Sequence, residues 1–302
     1  MLAVKKAVIP AAGLGTRQYP ASACVKKAFF PLVDRDGRSK PVLQIVIEEA
    51  LAGGVAEVCI VGLPAMEESC RRYFRAMPDE LRPAFEGKEW AFQQAETLRR
   101  IGERLSFVAQ TEQHGLGHAV WCARRWIGGE PFVVLLGDHV FLSGCERPCS
   151  AQLIEAFSGH SITALTPVGE EQLPGFGVVR GRPSAENAAL VHAEGFIEKP
   201  PVGVARARCR VEGVPEGIYL AHFGMHLFTP GMLEVLDEMV RSDRRERGEF
   251  QLTAAQDVLC RREPYFGLVI EVERCDMGTP EGMLEAQAGL LKNRDSHLFS
   301  SS

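Results

Sequence analysis

An excess of positive charge is missing from this chain of 302 residues: 34 Lys and Arg stand against 39 Asp and Glu, giving a formal net charge of −5. That balance argues against a broad nucleic-acid-binding surface. Long apolar runs are missing too, none approaching the roughly 20 residues of a membrane span. The stretch from Ala7 to Leu14 is too short and too glycine-rich for a signal peptide. A cytoplasmic protein is expected, with neither membrane nor nucleic acid as partner. The nine cysteines are odd in number and contain no Cys-x-x-Cys pair. Cys145 and Cys149, the nearest two, lack a convincing histidine partner for zinc, so the set reads as reduced, small hydrophobic fillers. Internal repeats and low-complexity segments are absent as well.

Apolar content is not lacking: at 46% it suffices for the core of one large α/β domain or two small ones. Short β-branched runs at Lys6–Pro10, Glu57–Gly62, Leu105–Gln110 and Pro131–Leu136 alternate with amphipathic ones at Pro41–Gly53 and from near Met66. That rhythm predicts βαβ units of a parallel sheet. The unbroken run before Leu136 is of the kind buried on both faces, and Asp138 then stands just past a strand's carboxyl end, where open α/β sheets bind ligands. From Ile162 shorter strands appear, among them Gly177–Arg180 and Ala193–Glu198, with a late one at Leu268–Val272; they predict a mixed second half. Met232, Leu233, Leu236, Met239 and Val240 recur at helical spacing, so Pro230–Val240 is expected to pack as a helix and charged Arg241–Arg247 to follow as a solvated connector. The fold class expected is α/β: a Rossmann-like, mixed, mainly parallel central sheet flanked by helices. Residues 1–292 are expected as a single domain, with halves at about 1–150 and 151–292, and 293–302 as a polar tail.

The first strand runs into Ala11-Ala12-Gly13-Leu14-Gly15-Thr16-Arg17. A loop with so little side chain lets backbone N–H groups approach phosphate oxygens, and the arginine adds a planar, permanently charged fork. The phosphate chemistry is of neither common kind, since a dinucleotide fingerprint needs a third glycine where Gln18 stands and no Gly-Lys-Ser/Thr follows as in a Walker loop. Gln110 ends a strand before Gly115-Leu116-Gly117-His118. Its amide offers a donor and an acceptor side by side, enough to pair with the N3–H and a carbonyl of uracil, while a glycine backbone can come close to the base. Glu198-Lys199-Pro200 closes another strand, the proline favouring an extended exit at Lys199.

Gly13-Leu14-Gly15-Thr16-Arg17, Pro20-Ala21, Lys27 and Pro31-Leu32-Val33-Asp34 together resemble the signature of the sugar-1-phosphate nucleotidylyltransferases. Within that superfamily the chain is most similar to the bacterial UTP:glucose-1-phosphate uridylyltransferases. The resemblance recurs in the family's order at Gly115-Leu116-Gly117-His118-Ala119-Val120, Leu136-Gly137-Asp138, Glu198-Lys199-Pro200, Gly248-Glu249-Phe250-Gln251-Leu252-Thr253 and Asp276-Met277-Gly278. It implies a fold of the nucleotide-diphospho-sugar transferase type and synthesis of UDP-glucose and pyrophosphate from UTP and glucose 1-phosphate. Mg²⁺ is the implied cofactor, and a homodimer or homotetramer the implied assembly.

By that resemblance Asp138 and Asp276 hold the metal, and Arg17, Lys27 and Lys199 are catalytic cations. Ala11, Ala12, Gly13, Leu14, Gly15, Thr16, Gln110, Gly115 and Gly117 bind the nucleotide; Asp138, His139, Gly177, Glu198 and Lys199 bind the sugar phosphate. Glu249 is a second-tier candidate. Departures stand at Ala23, usually lysine, at Lys26, usually proline, at Ala28, usually glutamate, and at Phe176, commonly tyrosine, while Arg35–Ser39 looks like a short inserted turn. They keep two alternatives open: a relative that uses dTTP or another sugar 1-phosphate, and a non-catalytic regulatory paralogue that binds a sugar nucleotide.

Overall fold

The computed structural model describes residues 3–185 and 187–293; the expected tail, from residue 294 on, lies outside them. Runs rich in Val, Ile and Phe form the strands β1 (Lys6–Pro10), β2 (Pro31–Val33), β3 (Ser39–Pro41), β4 (Glu57–Gly62), β5 (Leu105–Ala109), β6 (Phe132–Leu135) and β7 (His139–Ser143). They are followed by β8 (Ser161–Gly169), β9 (Gly177–Pro183), β10 (Leu190–Glu198), β11 (Ile218–Phe228), β12 (Tyr265–Val269) and β13 (Val272–Asp276). One sheet runs in the order β5-β4-β1-β6-β11-β8-β12-β10-β9. Its first four strands are parallel, since crossover helices such as Val42–Ala52 return the chain to the same end. Beyond β6 the pairing is antiparallel except between β8 and β12. The expected mainly parallel sheet is therefore parallel throughout only in its N-terminal half; the direct return from β9 to β10 needs no crossover and reverses direction.

Strand alternation sorts the core into two layers. Val8, Phe132 and Val134 face the helices Leu116–Cys122 and Gly231–Arg241, whereas Ala7, Ile9, Val133 and Leu135 pack with Val42, Leu43, Val46 and Ile47 of the helix Val42–Ala52. Each of the larger side chains, Val, Ile, Leu or Phe, contributes about 1.5–3 kcal/mol when fully buried. The helix expected at Pro230–Val240 is present one residue further on. The charged run after it is exposed, with the Arg245 guanidinium 4.5 Å from the Phe250 ring centroid.

The late strand expected at Leu268–Val272 is two strands. β12 ends at Val269 in the large sheet, Ile270 and Glu271 lead the chain out, and β13 pairs antiparallel with β7 as a separate ribbon. No glycine or proline marks the break, so apolar content alone reads across it. The turn at Arg35–Ser39 joins β2 to β3, and the Lys40 ammonium, buried behind it, lies 2.7 Å from Asp34, 3.0 Å from Asp36 and 2.8 Å from Glu48. Burial opposes that charge, but the hydrogen bonds to Asp34 and Glu48 raise its pKa above the ordinary lysine value.

Candidate active site

The carboxyl ends of β1 and β6 lie side by side, tied where the Gly137 N–H donates to the Pro10 carbonyl at 3.0 Å. This puts the Ala11–Thr16 loop and Asp138 into one cleft of about 490 Å³, which Lys27, Gln110, Gly115 and Glu249 also line. Lys27 begins a tight turn, Lys27–Phe29, and its ammonium is ion-paired with the Asp138 carboxylate. Gly13 lets that ammonium lie close to the loop: a Cβ there would stand 3.1 Å from Lys27 Nζ, a tight contact. Ala28 is 1% exposed and fills core, so its departure from the family's glutamate does not dislodge Lys27.

Asp276, last in β13, stands opposite His139 in the ribbon, and the Met277 N–H donates to the Asp138 carbonyl at 2.8 Å. Ribbon and loop thus bring the two aspartates together. Asp276 Oδ2 accepts from Arg17 Nη2 at 3.2 Å, and Oδ1 accepts from the Gly278 N–H at 2.8 Å. Burial pushes both carboxyls toward higher pKa. At Asp138 the Lys27 ammonium outweighs it, and at Asp276 the Gly278 N–H and the Arg17 guanidinium do, so both sit below the ordinary carboxylate range. Among the described residues no cluster of three or more His, Cys, Asp or Glu forms a metal cage. The donor set is this carboxylate pair.

Three expected roles change. Gln110, just past β5, spends its Nε2 on the Gly115 carbonyl at 3.2 Å and on His118 Nδ1 at 3.1 Å, so it offers a base only the acceptor Oε1. Gly117 does not line the cleft: its N–H donates to the Phe250 carbonyl at 2.8 Å, and a Cβ would stand 2.6 Å from that oxygen. It holds the Gly248–Thr253 segment against the base loop. His139 is buried with both ring nitrogens engaged, Nδ1 donating to the Phe223 carbonyl at 3.2 Å and Nε2 accepting from Arg274 Nη1 at 3.3 Å. Its side chain supports Asp276 and Arg274 and leaves nothing for a sugar.

The sugar-side residues gather where β9 and β10 pair. Glu198 lies opposite Gly177, its Oε2 accepting from Thr253 Oγ1 at 2.6 Å while Oε1 is 3.9 Å from Lys199 Nζ. Gly177 makes room for the His222 ring, since a Cβ would fall 2.0 Å from His222 Nε2. Lys199 is not extended, despite the following proline. Its φ is 45°, and its N–H donates to the Phe176 carbonyl at 3.0 Å, which fixes the turn. Sequence reasoning missed Arg274, whose guanidinium lies 4.3 Å from the Phe176 ring centroid. Period-two alternation from Asp276 could have flagged it.

A cleft in which strand-end carboxylates and cations face a glycine-rich loop marks the α/β proteins that handle nucleoside phosphates. The chain belongs to the nucleotidyl transferase family, whose profile matches residues 6–293. It is 33% identical over 287 residues, 94% of this chain and 90% of the relative, to the UTP–glucose-1-phosphate uridylyltransferase of Bacillus subtilis. It is 32% identical over 292 residues, 93% of this chain and 91% of the relative, to UTP–glucose-1-phosphate uridylyltransferase 1 of Staphylococcus saprophyticus. Among solved structures, an apo UDP-glucose pyrophosphorylase matches with a TM-score of 0.80 at 28% identity, over 96% of this chain and 98% of that one. The UTP-bound enzyme of Acinetobacter baumannii matches with a TM-score of 0.76 at 27% identity, over 94% and 92%.

Proposed function

We propose that this chain makes UDP-glucose and pyrophosphate from UTP and glucose 1-phosphate. The reading is carried by Asp138 and Asp276, two ionised carboxylates each matched by a mobile-chain cation, Lys27 and Arg17, beside the nucleotide cleft. Mg²⁺ takes one or two carboxylates and completes its shell with phosphate oxygens and water. Asp138 and Asp276 would hold it, and its charge would offset that of the two polyanions. Lys27 and Arg17 would neutralise the triphosphate, and the backbone N–H groups of Ala12–Thr16 would position its leaving phosphates; the Ala11 N–H is spent on the Val61 carbonyl at 2.7 Å.

A phosphate oxygen of glucose 1-phosphate, already ionised and needing no general base, forms a bond to the α-phosphorus of UTP. The bond from that phosphorus to the β-phosphate's bridging oxygen breaks, and pyrophosphate leaves with the electron pair. Glu198 accepts from sugar hydroxyls through the oxygen that Thr253 leaves free, and Lys199 neutralises the sugar phosphate. Gln110 Oε1 accepts from uracil N3–H. That Lys27 still reaches Asp138 despite Ala28 favours catalysis over a non-catalytic paralogue.

Crossing UTP, CTP, ATP, GTP and dTTP with several sugar 1-phosphates and reading pyrophosphate release tests this. UTP with glucose 1-phosphate is the expected best pair, with dTTP partly accepted; equal use of ATP overturns the uridylyl assignment, and binding of UDP-glucose without pyrophosphate release makes the chain a regulator. The same reading carries a cytoplasmic setting and a dimer or tetramer, the latter open to light scattering. No helix among the described residues is long and apolar enough to cross a membrane.

A further inference from the structure

Arg274 is a cation of this site with no carboxylate within ion-pairing distance among the described residues, Asp276 and Asp138 acting on it only from further away. Lys27 pairs with Asp138 and Arg17 with Asp276, but among the described residues no ion pair includes Arg274. Its polar contact is the single bond from Nη1 to His139 Nε2 at 3.3 Å, which leaves most of the five guanidinium N–H donors uncommitted. The side chain is half-buried between the Phe176 ring and His139, and a guanidinium held there with donors to spare suits an anion that takes two of them at once.

Its position says which anion. Arg274 precedes Asp276 by two residues on β13, hence on the same strand face, and its guanidinium stacks on Phe176 at 4.3 Å. The Phe176 carbonyl in turn holds the backbone N–H of Lys199 at 3.0 Å. One aromatic residue thus links Arg274 to Lys199, on the sugar side, whereas Arg17 follows the glycine-rich loop and Lys27 lies against it at Gly13 and Gly15.

We propose that Arg274 binds the phosphate of the sugar 1-phosphate together with Lys199, its planar fork holding that group so that one oxygen faces the α-phosphorus. The inference rests on the nucleotidylyltransferase reading.

UDP-glucose and UMP share uridine and its α-phosphate, but only UDP-glucose carries the phosphate that came from the sugar. Calorimetry with both, on wild type and on Arg274→Met, isolates the contact, because methionine keeps an apolar stem against Phe176 and loses the charge. The Kd for UDP-glucose is expected to rise about tenfold to a hundredfold, the scale of a lost charge-assisted hydrogen bond, with UMP within about threefold. KM for glucose 1-phosphate should rise with it while KM for UTP holds, and Arg274→Lys should recover part of the loss. Equal weakening of both ligands, or of neither, overturns the proposal. If the methionine variant fails to fold, Arg274→Gln, which still offers an N–H to His139, takes its place with the same readouts. Wild-type protein that binds UDP-glucose but releases no pyrophosphate sinks the transferase reading and leaves the calorimetric comparison to decide Arg274.

Discussion

At Asp138 and Asp276 the decisive property is charge held ready. Each carboxylate stays ionised against the pull of burial because a cation or N–H group faces it. Asp138→Asn or Asp276→Asn is therefore expected to cut turnover by more than about a hundredfold, on the scale of removing one charge-stabilising group, with the fold kept but the melting temperature lowered because Lys27 or Arg17 loses its ion-pair partner. Near-normal pyrophosphate release from either variant would falsify the metal-holding role. Gln110 permits a sharper test. With its NH₂ spent on Gly115 and His118, base choice rests on one acceptor, Oε1, which uracil N3–H satisfies and the bare N3 of cytosine does not. Gln110→Ala should erode the UTP-over-CTP preference in mixed-triphosphate competition more than it changes the affinity for glucose 1-phosphate; an unchanged ratio means other groups read the base. Asp138 was legible in the sequence because a strand visibly ends before it. Arg274 was not, because its meaning lies in Phe176 and His139, which only the folded ribbon brings to it.

Among elements, those with a strong local pattern, an unbroken apolar run or a helical stripe, were legible and those defined by a partner were not. The unbroken apolar runs of β1 and β6 and the helical stripe from Met232 to Val240 are written in the chain; the exit from β12 into β13 is not, since Leu268-Val269-Ile270 is equally apolar on both sides of the step. The glycines of the Gly115–Gly117 loop were legible as glycines, but for Gly117 the reason is a contact with Phe250 far along the chain. The β2–β3 hairpin depends on a buried charge. Lys40, 7% exposed, joins Asp34 and Asp36 of the hairpin turn to Glu48 of the following helix. Lys40→Met leaves those carboxylates facing one another without a cation. A loss of about 3 kcal/mol is expected, at the low end for buried pairs because Asp36 and Glu48 keep some solvent, measured as a lower urea midpoint. A midpoint equal to wild type would mean that the hairpin docks without the lysine.

For the whole molecule, acid is the natural adversary. His222 and His226 are set among β11, Thr163, Thr253 and Gln256, and burial, foremost, lowers the pKa of both from 6.5. The unfolded chain therefore takes up protons below about pH 6.5 that the folded chain refuses, so stability falls as pH drops, by up to about 1.4 kcal/mol per pH unit for each ring. Asp138 and Asp276 act in the same direction at lower pH: their depressed folded pKa values contribute stability above the ordinary carboxylate range that is lost as they protonate. Urea midpoints should decline from about pH 7 to pH 5; a level profile would mean that both rings accept protons in place.

The β7–β13 ribbon also bears on which changes in chain length the protein can survive. Asp276 faces the site only by virtue of register, Asp276 against His139 and Cys275 against Val140. Removing one codon between Val272 and Cys275 would turn the end of the ribbon over, bringing Met277 opposite His139 where the carboxylate stood and moving the charge of Asp276 into the buried place of Cys275. An in-frame single-codon deletion scan should thus find these few positions as intolerant as the catalytic residues themselves, although most of their side chains touch no substrate, and any natural gain or loss of residues in such proteins has to accumulate elsewhere.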